Sequence, residues 1–203
     1  VASFSSSDIT VANGTLATMT SSDNITWSGT FTPSTNTDNA TNTLSLATSY
    51  TDTAGNAGPS ATTANYEVDT LSPSVNSFTL SDTALKTGDN ATVTLVFSEA
   101  VASFSSSDIT VANGTFTAMS SSDDTTWTGT FTPTANTDDA NNILSLATSY
   151  TDVAGNTGPT ATTANYEVET LVPSVNTFTL SDTALKAGDN ATVTLVFSEV
   201  VTS

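Results

Sequence analysis

The chain repeats itself at an interval of one hundred residues, and that period restricts the fold more than any other feature. Shifting the sequence by 100 positions lays VASFSSSDITVANGT at Val1 on the same string at Val101 without a gap. About 80 of the 100 overlaid residues are identical, and the changes are mild, such as Leu16 to Phe116, Ser28 to Thr128 and Asp69 to Glu169. A solenoid coil turns in about 20–45 residues, so this period suits an array of whole domains, each with its own core.

The longest conserved block shows where such a domain begins. VDTLSPSVNSFTLSDTALKTGDNATVTLVFSEA, from Val68 to Ala100, returns almost unchanged from Val168 to Val200, and no such stretch stands before Val1. It reads as a linker, a strand, a turn and a second strand. Counted from the linker, residues 1–68 form a partial repeat lacking its first two strands and 69–168 a complete repeat. Residues 169–203 then form the first two strands of a further one. An incomplete sandwich exposes strand edges and is adhesive. Two readings follow: a segment of a longer array, or a chain whose terminal two strands complete the truncated domain of an identical chain, head to tail.

Within the complete repeat, turn chemistry and alternation predict short strands. Val75, Phe78 and Leu80 mark the first, and a polar turn over 81–90 carries Gly88-Asp89. Residues 91–97 alternate, with Val93, Leu95 and Phe97 on one face and Thr92, Thr94 and Val96 on the other. A short strand around Phe104 is expected in a long loop. Ile109 and Val111 lead to Asn113-Gly114, a strong hairpin signal, with a return strand at 116–119. Beyond a polar turn at 120–124, Trp127, Gly129 and Phe131 alternate with threonines as far as Pro133. Residues 136–142 read as an acidic loop, 143–150 as a strand, 152–159 as a Gly-rich loop and 161–168 as the closing strand. Seven to eight short strands with no helical period predict an all-β chain of tandem immunoglobulin-like β-sandwich domains. Trp127, Phe131, Phe97, Tyr150 and Tyr166 are the aromatics expected in the core or at its edge.

Charge narrows the function. Twenty acidic residues stand against two lysines, Lys86 and Lys186, with no His and a formal charge of -18. Nucleic-acid binding needs a basic face, so it is excluded. Anionic lipid is disfavoured for the same reason, and no apolar run reaches the roughly 20 residues that span a bilayer. The acidity either keeps a surface soluble and self-repelling or binds divalent cations. Cysteine is absent, so disulfides contribute nothing. Without His, Cys or Arg, the many hydroxyls have no evident base, and Asp123 and Asp124 are neighbours in a turn rather than a pair across a cleft. An enzyme is not expected.

Taken in order, SDTALKTGDNATVTLVFSEAV, SDITVANGT, WTGTFTP, YTDVAGNTGP and ANYEV resemble the bacterial immunoglobulin-like repeats of giant surface adhesins, the large repetitive RTX- and Bap-like proteins. The resemblance covers the whole chain. It implies a secreted or cell-surface location and a passive spacer role that carries an adhesive tip away from the cell, with neighbouring repeats of the same chain as partners. It also implies calcium at the joints in some members.

A sandwich entered at its top gathers the linker and the loops after strands two, four and six at one end. That end would collect Asp69, Glu99, Asp152 and Asn156 as calcium ligands, with Asp123 and Asp124 as weaker candidates. Calcium takes six to eight oxygens from carboxylates, amides and carbonyls. The repeat-related positions are Glu169, Glu199, Asp52 and Asn56. The 136–139 loop, at the other end, would face the next domain's acidic set. Two other functions compete with the spacer: a self-assembling filament subunit and a glycan- or cell-binding module. Differences between copies, such as Asn24/Asp124 and Thr43/Ile143, are scattered rather than gathered in one loop set, which favours the spacer.

Overall fold

The computed structural model describes residues 1–202. Among them the regular structure is strand, apart from two single-turn 3-10 segments, Ser6–Asp8 and Ser106–Asp108. The alternating segment Ala91–Phe97 is the best-formed strand: Ala91, Val93, Leu95 and Phe97 are buried while Thr92 faces solvent. Its β-branched residues suit a pleated, half-buried surface. It sits inside a four-stranded sheet in the order Gly114–Phe116, Thr126–Pro133, Ala91–Phe97, Val75–Leu80. Opposite it lie two three-stranded sheets. One is Asp138–Asn142, Tyr166–Glu169 and Ala84–Lys86, whose last pair is parallel. The other is Ile109–Thr110, Ser145–Leu146 and Ala161–Thr162. Phe131 from the first layer meets Tyr166 from the second edge to face at 5.2 Å. Leu85, Leu144 and Val168 are shut off from solvent around them. The repeat is an all-β immunoglobulin-like sandwich.

The chain divides into two compact units. The first holds Val1–Val75, Phe97–Phe104 and Thr148–Pro159; the second holds Asn76–Val96, Ser105–Ala147 and the residues from Thr160 onward. In the first unit Asp38–Asn42 pairs with Tyr66–Asp69, Phe31–Pro33 with Gly14–Leu16, and Val101–Ala102 with Thr151–Asp152. Phe97, Phe104 and Tyr150 form an aromatic trio there, with centroids 5.1–6.0 Å apart. Tyr150 is closed over by Gly158, where an added Cβ would meet the ring at 2.1 Å.

Several local expectations fail for identifiable reasons. Asn113-Gly114 does not close a hairpin: Ile109–Thr110 pairs with Ser145–Leu146, and Gly114–Phe116 pairs with residues 131–133. Only Asn113 takes a positive φ, of 49°, so the turn passes the chain from one sheet to the other. Gly114 is required instead by close approach, since a Cβ would lie 2.2 Å from the Phe131 ring. The acidic loop at 136–142 contains a strand, Asp138–Asn142, because its backbone pairs with Tyr166–Glu169. The strand expected over 143–150 shrinks to Ser145–Leu146, and that over 161–168 splits into Ala161–Thr162 and Tyr166–Glu169. The turn at 81–90 hides the strand Ala84–Lys86, whose Leu85 is fully buried. Trp127, expected in the core or at its edge, stands half-exposed, and its indole N–H donates to the Asp124 carbonyl at 3.1 Å.

Candidate metal centre

Three of the acidic residues meet in the first unit. Asp69 ends the strand Tyr66–Asp69, opposite Asp38. Glu99 lies in the bend that follows Ala91–Phe97. That bend is tied to the linker by two hydrogen bonds: Ser98 N–H donates to the Ser74 carbonyl at 2.9 Å, and Ser74 N–H donates to Ser98 Oγ at 2.8 Å. Asp152 ends the short strand Thr151–Asp152, opposite Val101. One carboxylate oxygen from each of Asp69, Glu99 and Asp152 falls within 4.8 Å of the others.

The loop after Asp152 explains how a carboxylate can be 1% exposed there without being orphaned. Asp152 Oδ1 accepts from the N–H groups of Gly155 at 2.7 Å and Asn156 at 2.8 Å, and Oδ2 accepts from Asn156 Nδ2 at 2.7 Å. Gly155, at φ +99°, permits the reversal that aims these donors inward. Asn156 Nδ2 also reaches Asp69 Oδ1 at 3.3 Å and the carbonyls of Asp69 and Leu71 at 3.4 and 3.3 Å. Asn156 therefore links the Asp152 loop to the incoming linker. The linker is shaped in turn by Leu71 N–H, which donates to Asp69 Oδ1 at 3.1 Å.

The electrostatics of the group are unfavourable as it stands. Burial pushes the Glu99 carboxyl up from its ordinary value, and the charges of Asp152, Asp69 and Asp38 push it further the same way. No lysine lies in this unit, since Lys86 and Lys186 both belong to the other. Three carboxylates around one point, with the carbonyls of Asp69 and Leu71 at hand, form an all-oxygen donor set for a hard divalent cation. The residues present fit calcium.

The other candidates are placed differently. Asp123, in the second unit, spends its carboxylate on its own turn, accepting from Thr126 N–H at 2.8 Å, Thr125 N–H at 3.0 Å and Ser121 Oγ at 2.9 Å. Those bonds, the Thr126 one foremost, hold its pKa far below the usual carboxylate range. Asp124 takes a left-handed φ of 56° and offers its carbonyl to Trp127. Neither joins the cluster. Asp52 keeps the loop hydrogen bonds of Asp152, including Asn56 Nδ2 at 2.9 Å, but is exposed. At the second linker, burial, then Asp138 and Glu199, raise the Glu169 pKa.

Asp38 is the participant that sequence reading did not single out. Its counterpart Asp138 belongs to the loop expected at the far end of a domain and facing the next. Asp38 stands opposite Asp69 in their strand pair, and its charge is among those that raise the Glu99 pKa after burial.

No helix among the described residues is long and apolar enough to cross a membrane. Neither the curated proteins nor the solved structures contain a match to the chain. Residues 1–68 and again 69–168 match the family described as bacterial Ig-like domain, whose members are commonly non-enzymatic structural modules of extracellular or surface proteins. With two successive matches spanning most of its length and the sandwich that the fold requires, the chain belongs to the bacterial Ig-like domain family.

Proposed function

We propose that the chain is a spacer segment of a bacterial surface adhesin or fibre, holding an adhesive tip away from the cell, with calcium stiffening its joints. The observation that carries this reading is the meeting of Asp69, Glu99 and Asp152 within 4.8 Å where the linker enters the complete repeat, with no lysine in the unit to balance them. Asp69 belongs to the linker, Glu99 to the bend after Ala91–Phe97, and Asp152 to the end of the strand Thr151–Asp152. A ligand common to all three fastens the linker to two loops of the domain it introduces. Asn156 orients the set by donating to both aspartates and to the carbonyls of Asp69 and Leu71. Bound calcium would supply positive charge to offset the burial, and then the acidic neighbours, that raise the Glu99 pKa.

Calorimetric titration with calcium, beside thermal melting with and without chelator, tests the site. Binding with a higher melting temperature in calcium is expected. Absence of heat together with an unchanged melting temperature in chelator refutes it. Small-angle scattering of a multi-repeat chain tests the mechanical role, with the maximum dimension falling when calcium is removed.

A further inference from the structure

A pull along the chain enters the complete repeat at one end of the strand Ala91–Phe97 and leaves at the other. Ser81 N–H, just past Val75–Leu80, donates to the Thr92 carbonyl at 2.9 Å, near the start of Ala91–Phe97. Ser98 N–H, just past the end of that strand, donates to the Ser74 carbonyl at 2.9 Å. The incoming strand therefore begins beside the end of Ala91–Phe97 and runs antiparallel to it. The outgoing residue Thr170 lies beside Asp89, Asn90 and Thr132, at the start of Ala91–Phe97. A strand of this length, at about 3.3 Å per residue, sets the two ends roughly 20 Å apart.

The exit is held on both sides. Tyr166–Glu169 is the middle strand of its sheet, antiparallel to Asp138–Asn142 and parallel to Ala84–Lys86, with Val168 opposite Leu85. Tension on the exit draws Tyr166–Glu169 forward along its own axis. Tension on the entry draws Val75–Leu80, and behind it Ala84–Lys86, backward. The parallel partners must then slide past each other, and their evenly spaced bonds are loaded together rather than opened in turn. Thr170, only 5% exposed, extends the hold. Its N–H donates to the Thr137 carbonyl at 2.7 Å, and its Oγ1 donates to the Thr134 carbonyl at 2.6 Å and accepts from Thr137 N–H at 2.9 Å. Its carbonyl accepts from Thr87 Oγ1 at 3.1 Å. Thr70 makes the corresponding bonds to Ser34 and Thr37, so the fastening recurs where the preceding repeat ends.

We propose that the complete repeat is a tension-bearing module, with Tyr166–Glu169 as its clamp and Thr170 as the residue that pins the clamp at the exit. The inference deepens the spacer reading and rests on it for the source of the load. Thr170 bonds the outgoing chain to the loops on both flanks, so a pull meets these bonds before it reaches the ladder. Forced unfolding follows the unfolding rate, which depends on the contacts broken at the barrier and not on total stability. Thr163 offers the contrast. It is 6% exposed, and its Oγ1 accepts from Leu144 N–H at 3.0 Å, but it adjoins Ala161–Thr162 in a different sheet, outside the loaded ladder.

Single-molecule force spectroscopy of the 203-residue chain, held between marker domains in chelator, tests this. The complete repeat should open in one release of roughly 300 Å, from about 95 residues at about 3.5 Å each less the folded span. Thr170→Val should unfold about tenfold faster at a given force. Thr163→Val should keep the parent's rate under force while losing as much melting temperature as Thr170→Val. Because the chain has no cysteine, Ala84→Cys with Glu167→Cys, kept reduced, gives handles on two exposed, facing residues. A pull between them opens the ladder bond by bond and should need clearly less force than a pull at the chain ends. Equal forces in the two directions overturn the proposal, as does the absence of the long release at a measurable force. Thr170→Val unfolding under force no faster than the parent, or no faster than Thr163→Val, overturns it too. Failure of the spacer reading would show instead in the calcium titration and the scattering of a multi-repeat chain, neither of which depends on the clamp.

Discussion

Replacing Glu99 with glutamine should stabilise the chain in chelator and cut the further stabilisation that calcium confers. Two unit charges 4.8 Å apart repel by about 0.9 kcal/mol in bulk water and about 3.5 kcal/mol at an effective dielectric of 20. Glu99 faces two such neighbours and is half-buried, so solvent screening holds the relief on neutralising it to about 2 kcal/mol. A change of that size raises the melting temperature of a domain near 100 residues by several degrees. In chelator, Glu99→Gln should therefore melt higher than the parent. In calcium that advantage should shrink to about 0.7 kcal/mol or less. The parent gains about 2.7 kcal/mol at a hundredfold excess of ligand over Kd, whereas the variant has lost a carboxylate ligand and binds at least tenfold more weakly (~1.4 kcal/mol).

The pH dependence should follow the same logic. The Glu99 pKa is raised in the fold, first by burial and then by its acidic neighbours, so the folded state takes up that proton before the unfolded state does. Stability in chelator consequently rises as pH is lowered from neutrality through the raised pKa, and Glu99→Gln lacks this gain. Calorimetric melting of parent and variant, each with calcium and with chelator, reads all four values. A variant destabilised equally in both media, or one whose calcium-induced shift matches the parent's, refutes the reasoning.

Three further outcomes are expected. Leu95→Ala removes a fully buried side chain and should cost about 2–5 kcal/mol in chemical denaturation. Leu195→Ala, at the repeat-related exposed position, should leave the monomer's unfolding midpoint almost unmoved, and equal losses would deny that the terminal hairpin is open. Tyr166, raised to about 12 mainly by burial, stays protonated in the fold after an unfolded tyrosine has ionised. Its stabilising effect is full below pH about 10 and lost as pH rises through about 12; ultraviolet titration showing Tyr166 ionising at the value of an unfolded tyrosine would count against the packing described. Asp23, held at about 2 chiefly by the Thr26 N–H and then that of Ile25, contributes stability that is full above the ordinary carboxylate value and lost as pH falls through about 2. Asp23→Asn should flatten that part of the acid limb of the melting curve, and an unchanged limb would be inconsistent with the turn.

The all-β sandwich, the period and the inward set Val93, Leu95 and Phe97 were legible because alternation and repetition are local properties of a string. Asp69, Glu99, Asp152 and Asn156 were legible as a group through topology alone, since a sandwich collects alternate loops at one end. Strand partners were not. Asn113-Gly114 has hairpin chemistry, yet the ring of Phe131 claims the space beside Gly114 and the backbone there serves a different sheet. Leu85 sits in a stretch rich in turn residues and is buried only because Tyr166–Glu169 runs parallel to it. Asp123 and Asp124 carried the right chemistry for a ligand, but the nearest backbone donors had first claim on the Asp123 carboxylate.

Near-identical sequences in the two copies separate what belongs to a repeat from what belongs to a joint. Asp52 and Asp152 accept from the same backbone and side-chain donors of their loops, so the loop itself is a property of the repeat. Only Asp152 is buried. Asp69 of the linker and Glu99 of the bend reach Asp152. The crowding of charge, the raised Glu99 pKa and the oxygen donor set therefore arise where one repeat enters the next. Edge completion and charge crowding both originate in the stretch 68–100, because it supplies the hairpin that fills the sandwich and two of the three carboxylates that meet at its entrance. If calcium binds as proposed, its stoichiometry should count joints rather than repeats.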